Sequence, residues 1–147
     1  FDYETISNMS STERFPIQIH KNNGIYTGDT TSALPHGHGV FVSLRKKKGQ
    51  KFGMRLEGQF KDGVFLDQAI ICYFGGGIYR GQIKNDLRHG MGVLKYPRGY
   101  KFLGEWLDNK RHGYGILHKP DGKSRVGTWR DGKNLDTKIW VNGEPVS

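Results

Sequence analysis

Three stretches of this chain superimpose almost without adjustment: Gly24-Ile25-Tyr26-Thr27-Gly28 leading to His36-Gly37-His38-Gly39, Gly77-Ile78-Tyr79-Arg80-Gly81 leading to His89-Gly90-Met91-Gly92, and Lys101-Phe102-Leu103-Gly104 leading to His112-Gly113-Tyr114-Gly115. In each, an aromatic residue stands two before a glycine and a His-Gly-x-Gly begins eight after it. Gly81 and Gly104 lie 23 residues apart, Gly127 follows 23 later, and Gly58 precedes Gly81 by 23. Self-similarity at such a period decides the architecture before local propensity does: each unit is one supersecondary element that buries its apolar side only against its neighbours.

The unit reads as a β-hairpin. From Ile78 to Ile83, the residues Tyr79, Gly81 and Ile83 alternate with Ile78, Arg80 and Gln82, the period of a strand. Asn85 to Gly90 is polar and reads as the turn, Gly92 to Tyr96 as the return strand, and Pro97-Arg98-Gly99 as the passage to the next unit. One hairpin is too small to be stable alone, so the expected fold is all-β: an elongated, single-layer antiparallel sheet of stacked hairpins with ten or so short strands. A mid-strand glycine costs roughly 0.5–1 kcal/mol relative to alanine and persists where something approaches the backbone closely. The expected occupant is a ring from the adjacent hairpin. Stacking then builds a column of Tyr26, Leu56, Phe60, Tyr79, Ile83, Phe102, Trp106 and Trp129. A single layer leaves that column without a second layer to cover it, which points to a groove that binds a partner segment. Truncating Trp106 is expected to break such binding, and Arg80→Ala, on the other face, to spare it.

The Tyr-x-Gly, His-Gly-x-Gly and Pro-Asp-Gly elements at a 23-residue step resemble the MORN (membrane occupation and recognition nexus) repeat. The resemblance covers about 24–140, with units near 24–44, 54–76, 77–99, 100–122 and 123–142. Leu66-Asp67-Gln68-Ala69 replaces His-Gly-x-Gly in the second unit. Leu135-Asp136-Thr137-Lys138 replaces it in the fifth, where Arg125 also takes the aromatic's place, so the fifth unit reads as a cap that closes the sheet. Seven extra residues between the first two units fall around the basic loop Arg45, Lys46, Lys47, Lys48 and Lys51. Residues 1–21 stand outside the repeat as an extended leader, and Phe1, Tyr3, Ile6 and Phe15 could anchor it in the groove. The resemblance implies a cytoplasmic scaffold, cytoskeleton- or membrane-associated, that holds a protein segment, a second copy of itself, or anionic phospholipid through the basic loop. It also admits a targeting piece of a larger enzyme.

The remaining chemistry narrows the field. His36, His89 and His112 recur once per repeat, as a structural residue does and a catalytic one does not. They would lie about 10 Å apart at two strands per repeat, too far for one metal. No nucleophile elbow accompanies His-Gly-x-Gly, and Gly75-Gly76-Gly77 lacks the Lys-Ser/Thr of a phosphate loop. No paired acid and base emerges, so the chain reads as non-enzymatic, with no cofactor. Cys72 is the only cysteine, which excludes an intrachain disulfide and suits a reducing compartment. The net charge of +9 gathers in residues 74–147, which carry 14 Lys and Arg against 7 Asp and Glu. Acidic partners follow from that charge. Nucleic acid is disfavoured, because base stacking needs cations on the aromatic face and Arg80 and Lys101 alternate onto the other.

Overall fold

The structure is a computed structural model that describes residues 15–19, 24–43, 54–73, 75–85 and 87–146. The described residues form one twelve-stranded antiparallel sheet whose spatial order is the sequence order, with no helix among them. The strands are β1 (Phe15–Ile19), β2 (Gly24–Thr31), β3 (Leu34–Ser43), β4 (Met54–Lys61), β5 (Val64–Tyr73), β6 (Ile78–Lys84), β7 (Leu87–Lys95), β8 (Lys101–Leu107), β9 (Lys110–His118), β10 (Lys123–Arg130), β11 (Lys133–Val141) and β12 (Glu144–Val146). The basic loop Arg45–Lys51 and the leader residues Phe1, Tyr3 and Ile6 lie outside the described residues. Phe15 opens β1, which pairs edge-on with β2 through Phe15–Gly28 and Ile17–Tyr26. At the other end β12 pairs with β11, so the fifth hairpin is not the closing edge that its atypical residues suggest.

Register explains the period. Tyr26, Phe41, Leu56, Ile71, Tyr79, Leu94, Phe102 and Leu117 pair in one unbroken row across β2 to β9. Beside it runs a row of Gly28, Gly39, Gly58, Ala69, Gly81, Gly92, Gly104, Gly115 and Gly127. A Cβ on Gly92 would fall within the Tyr79 ring, and one on Gly115 within the Phe102 ring. The occupying ring therefore comes from the glycine's own hairpin, not from the adjacent one. The reason is geometric: the aromatic two residues before the first glycine leans along its strand and covers the partner-strand glycine opposite.

His-Gly-x-Gly is not a turn. It lies inside β3, β7 and β9, and the ladder shifts register between Gly28 and Thr30, Gly81 and Ile83, and Gly104 and Glu105. The first glycine of each motif, Gly37, Gly90 or Gly113, has φ of 74°, 61° or 57°. This left-handed residue makes a β-bulge that bends the strand. The bulge frees a backbone N–H that a side chain captures: His38 N donates to Asp29 Oδ2 at 3.2 Å, Met91 N to Gln82 Oε1 at 2.7 Å, and Tyr114 N to Glu105 Oε1 at 3.4 Å. The second unit shifts register in the same place, between Gly58 and Phe60, without the motif. The turns proper are two-residue connections with positive φ at both positions, such as Asp62-Gly63, Asp108-Asn109 and Asp131-Gly132, whose twist matches that of the flanking strands.

Candidate functional site

Tyr26, Tyr79 and Phe102 are wholly buried, Trp106 and Trp129 are 3% exposed, and Phe60 is 6% exposed. Leu56 and Ile83 are half-buried against them. The structure thus brings all eight column residues onto one face of the sheet, where they form its core. Their rings meet edge to face: Tyr79 and Trp106 at 5.7 Å, Phe102 and Trp106 at 5.2 Å, Phe102 and Trp129 at 5.5 Å, and Tyr26 and Phe60 at 5.0 Å between centroids. Both tryptophans of the column also bond back to the preceding hairpin, Trp106 Nε1 to Gly92 O at 3.2 Å and Trp129 Nε1 to Gly115 O at 3.4 Å. A glycine leaves that carbonyl accessible to the indole. Where Ala69 replaces the glycine, Ile83 stands in the tryptophan's place, with no donor to offer.

Two guanidinium groups lie on this aromatic floor. Arg88 Cζ sits 4.6 Å from the Trp106 centroid and 5.7 Å from that of Tyr73. Arg111 Cζ sits 5.0 Å from Trp129, 5.5 Å from Phe102 and 5.7 Å from Tyr96. Arg88 is anchored, donating from Nη1 to Tyr73 Oη at 2.9 Å and from Nη2 to Asn109 O at 2.8 Å. Burial pushes the Tyr79 phenol up to about 12, and it raises that of Tyr73, with the Arg88 charge opposing both shifts. The expectation that cations keep off the aromatic face is thus overturned for Arg88 and Arg111. It holds for Arg80, which pairs with Ile70 and Val93, and for Lys101, which pairs with Lys95 and His118, both on the opposite face. The alternation of β6 or β8 could not show this, because the two arginines lie between the turn and the bulge, where the phase is reset on both sides.

Above the floor is a cavity of about 380 Å³ walled by Tyr73, Tyr96 and Pro97 on one side and by Asn109 and Lys110 on the other. The turns build its second wall by docking on the preceding hairpin, Asn109 N donating to Arg88 O at 3.1 Å and Gly132 N to Arg111 O at 3.0 Å. Of the recurrent histidines, His36 ties its junction through Nδ1, which accepts from Asp62 N at 3.4 Å, whereas His89 Nδ1 lies 3.9 Å from Asp108 Oδ1 and has no hydrogen-bond partner among the described residues. No group of His, Cys, Asp and Glu suited to a metal occurs among the described residues. Cys72 is a half-buried free thiol.

An array of five bulged hairpins, with Tyr26, Tyr79 and Phe102 lying on the glycines of the first, third and fourth and the turns of the second, fourth and fifth docked on the hairpin before, defines a β-hairpin repeat protein with one core-bearing face. The model of the MORN repeat matches residues 33–43, 79–99 and 102–124. These three segments are MORN repeats. No curated protein matches it. The MORN repeat is a non-enzymatic module associated in general with protein or membrane interaction.

Proposed function

We propose that the protein is an interaction scaffold that holds a segment of a partner protein along the trough above the aromatic row. The observation that supports this is the cavity between Tyr73, Tyr96 and Pro97 on one side and Asn109 and Lys110 on the other, on a face that no second sheet covers among the described residues. An apolar floor with a few convergent polar groups is the usual make-up of a recognition site. The buried rings set the shape of this trough, and the half-buried Tyr73, Tyr96 and Leu117 form the surface a ligand would touch.

That division changes the informative variant. Trp106→Ala would empty a core position at a cost of about 3–5 kcal/mol, and lost binding would only report lost folding. Tyr96→Ala instead removes a wall residue. Full-length parent, Tyr96→Ala and Arg80→Ala proteins, each shown folded by circular dichroism, are immobilised and exposed to extract from the native source. A protein captured by the parent and by Arg80→Ala but released by Tyr96→Ala is the expected result. Capture that follows Arg80 and ignores Tyr96 would move the function to the opposite face.

A further inference from the structure

The position before each His-Gly-x-Gly or its substitute is Pro35, Phe65, Arg88, Arg111 and Asn134 in the five successive units. The fold therefore accepts proline, an aromatic or an amide there and does not require arginine. In the two units that wall the cavity the residue is Arg, and in both the guanidinium lies on a Trp ring, Trp106 or Trp129. No acidic side chain among the described residues lines the cavity, whereas Lys110 does, and Arg98 lines its neighbour beside Tyr96 and Tyr100. Neither Arg88 nor Arg111 meets a carboxylate among the described residues, and the Arg111 guanidinium makes no hydrogen bond or ion pair with any of them.

Resting on the trough reading above, we propose that Arg88 and Arg111 are a two-point anion reader, and that the bound segment is an acidic amphipathic helix with carboxylates seven residues apart. An arginine held over a ring is pre-organised, so it offers its N–H fork to a carboxylate at little entropic cost. The two guanidinium groups belong to successive hairpins, two strands apart, and two strands span about 9–10 Å. Seven residues of helix rise about 10.5 Å and return to the same face. Same-face residues of an extended segment recur at about 6.6 and 13 Å and miss that spacing. A nucleic acid is disfavoured because Trp106 and Trp129 are 3% exposed, with a guanidinium on each, and offer no open face to a base. A bilayer is disfavoured because these cations lie at the bottom of a walled trough, not on a protruding loop.

The test uses the full chain and a phage-displayed library of helical 18-residue peptides, with a fixed apolar stripe and random residues at two positions seven apart. Enrichment of Asp or Glu at both positions is expected, with synthetic Glu–Glu peptides binding at least tenfold tighter than their Gln–Gln counterparts. That preference should fall below twofold in Arg88→Gln/Arg111→Gln. Because Arg88 also anchors Tyr73 and Asn109, Arg111→Gln alone serves if the double variant does not fold, and it should abolish selection at one of the two positions only. Enriched peptides that bind alike with Glu or Gln would overturn the anion reader and leave the trough reading standing. No enrichment at all overturns both. Binding of phosphatidylserine vesicles or single-stranded DNA that is lost in the double variant, without peptide enrichment, would assign the arginines to those ligands instead.

Discussion

The glycines of this chain fall into two kinds that sequence alone does not separate. Gly92 and Gly115 are fixed by the rings lying on them, whereas Gly90 and Gly113 are fixed by their own backbone and by the Gln82 and Glu105 side chains filling the bulge. Gly90→Ala meets both obstacles, since a left-handed L-residue costs about 1–2 kcal/mol and the new Cβ would strike the Gln82 amide. We expect a loss of at least that size in denaturant unfolding, against almost none for Gly75→Ala, where the added methyl meets nothing within 4 Å. Tyr79 carries a second prediction. Its hydroxyl donates to Gln82 O at 2.7 Å, and Phe102 occupies the matching position without that bond. Tyr79→Phe should therefore cost about 1 kcal/mol at neutral pH and keep the fold. Burial raises the folded-state pKa from 10 to about 12, so the stability that Tyr79 supplies by holding its proton is complete below pH 10 and lost as pH rises through 12. Stability measured from pH 9 to 12 should fall less steeply in Tyr79→Phe than in the parent; equal slopes would contradict the assignment.

The element that repeats is the hairpin, but what couples one hairpin to the next is the tryptophan and the turn. Trp106→Phe keeps a ring edge against Tyr79 and Phe102 and deletes the donor to Gly92 O. The unpaired buried carbonyl and the smaller ring should together cost about 1–3 kcal/mol. A denaturation midpoint matching that of the parent would show that the bond contributes nothing. The hairpins, their spacing and the apolar face were legible because glycine, aromatic and turn residues recur in fixed register. The bulge was not, because a left-handed glycine inside a strand and one in a turn are spelled alike. Asp62-Gly63, Asp131-Gly132 and Asn142-Gly143 were the stronger turn signals, with φ near 50° and 82° at successive positions. Placing the turns there would have assigned His-Gly-x-Gly to the strands. Arg88 and Arg111 were hidden for the same reason, since counting alternation through an unrecognised bulge puts them on no definite face. Whether the trough takes a partner lay outside what spacing conveys, because the column residues that define its shape are themselves buried.

At the scale of the whole molecule the sheet is nearly one-dimensional: each strand pairs only with the strands before and after it in sequence. Stability in such an array is a sum of unit and nearest-neighbour contributions. The buried core is divided unequally along the array, into a smaller cluster of Tyr26, Phe41 and Phe60 and a larger one. The larger runs from Ala69 through Tyr79, Leu94, Phe102 and Trp106 to Trp129, whereas β11 is exposed over most of its length and all of β12 is exposed. Opening should therefore begin at β12 and proceed inward, with β7 and β8, flanked on both sides by ring-filled hairpins, opening last. Native-state hydrogen exchange of the full chain should show this as a gradient. Amides of Leu94, Phe102 and Trp106 should exchange only with global unfolding, those of Thr137 and Ile139 through smaller openings, and those of β12 fastest. Trp106→Phe should then speed exchange in β8 to β12 more than in β2 and β3, because it weakens the junction between the third and fourth hairpins. Uniform protection from β2 to β11, or equal acceleration throughout in the variant, would show that the array unfolds as a single unit and that the tryptophan bond is not a local coupling.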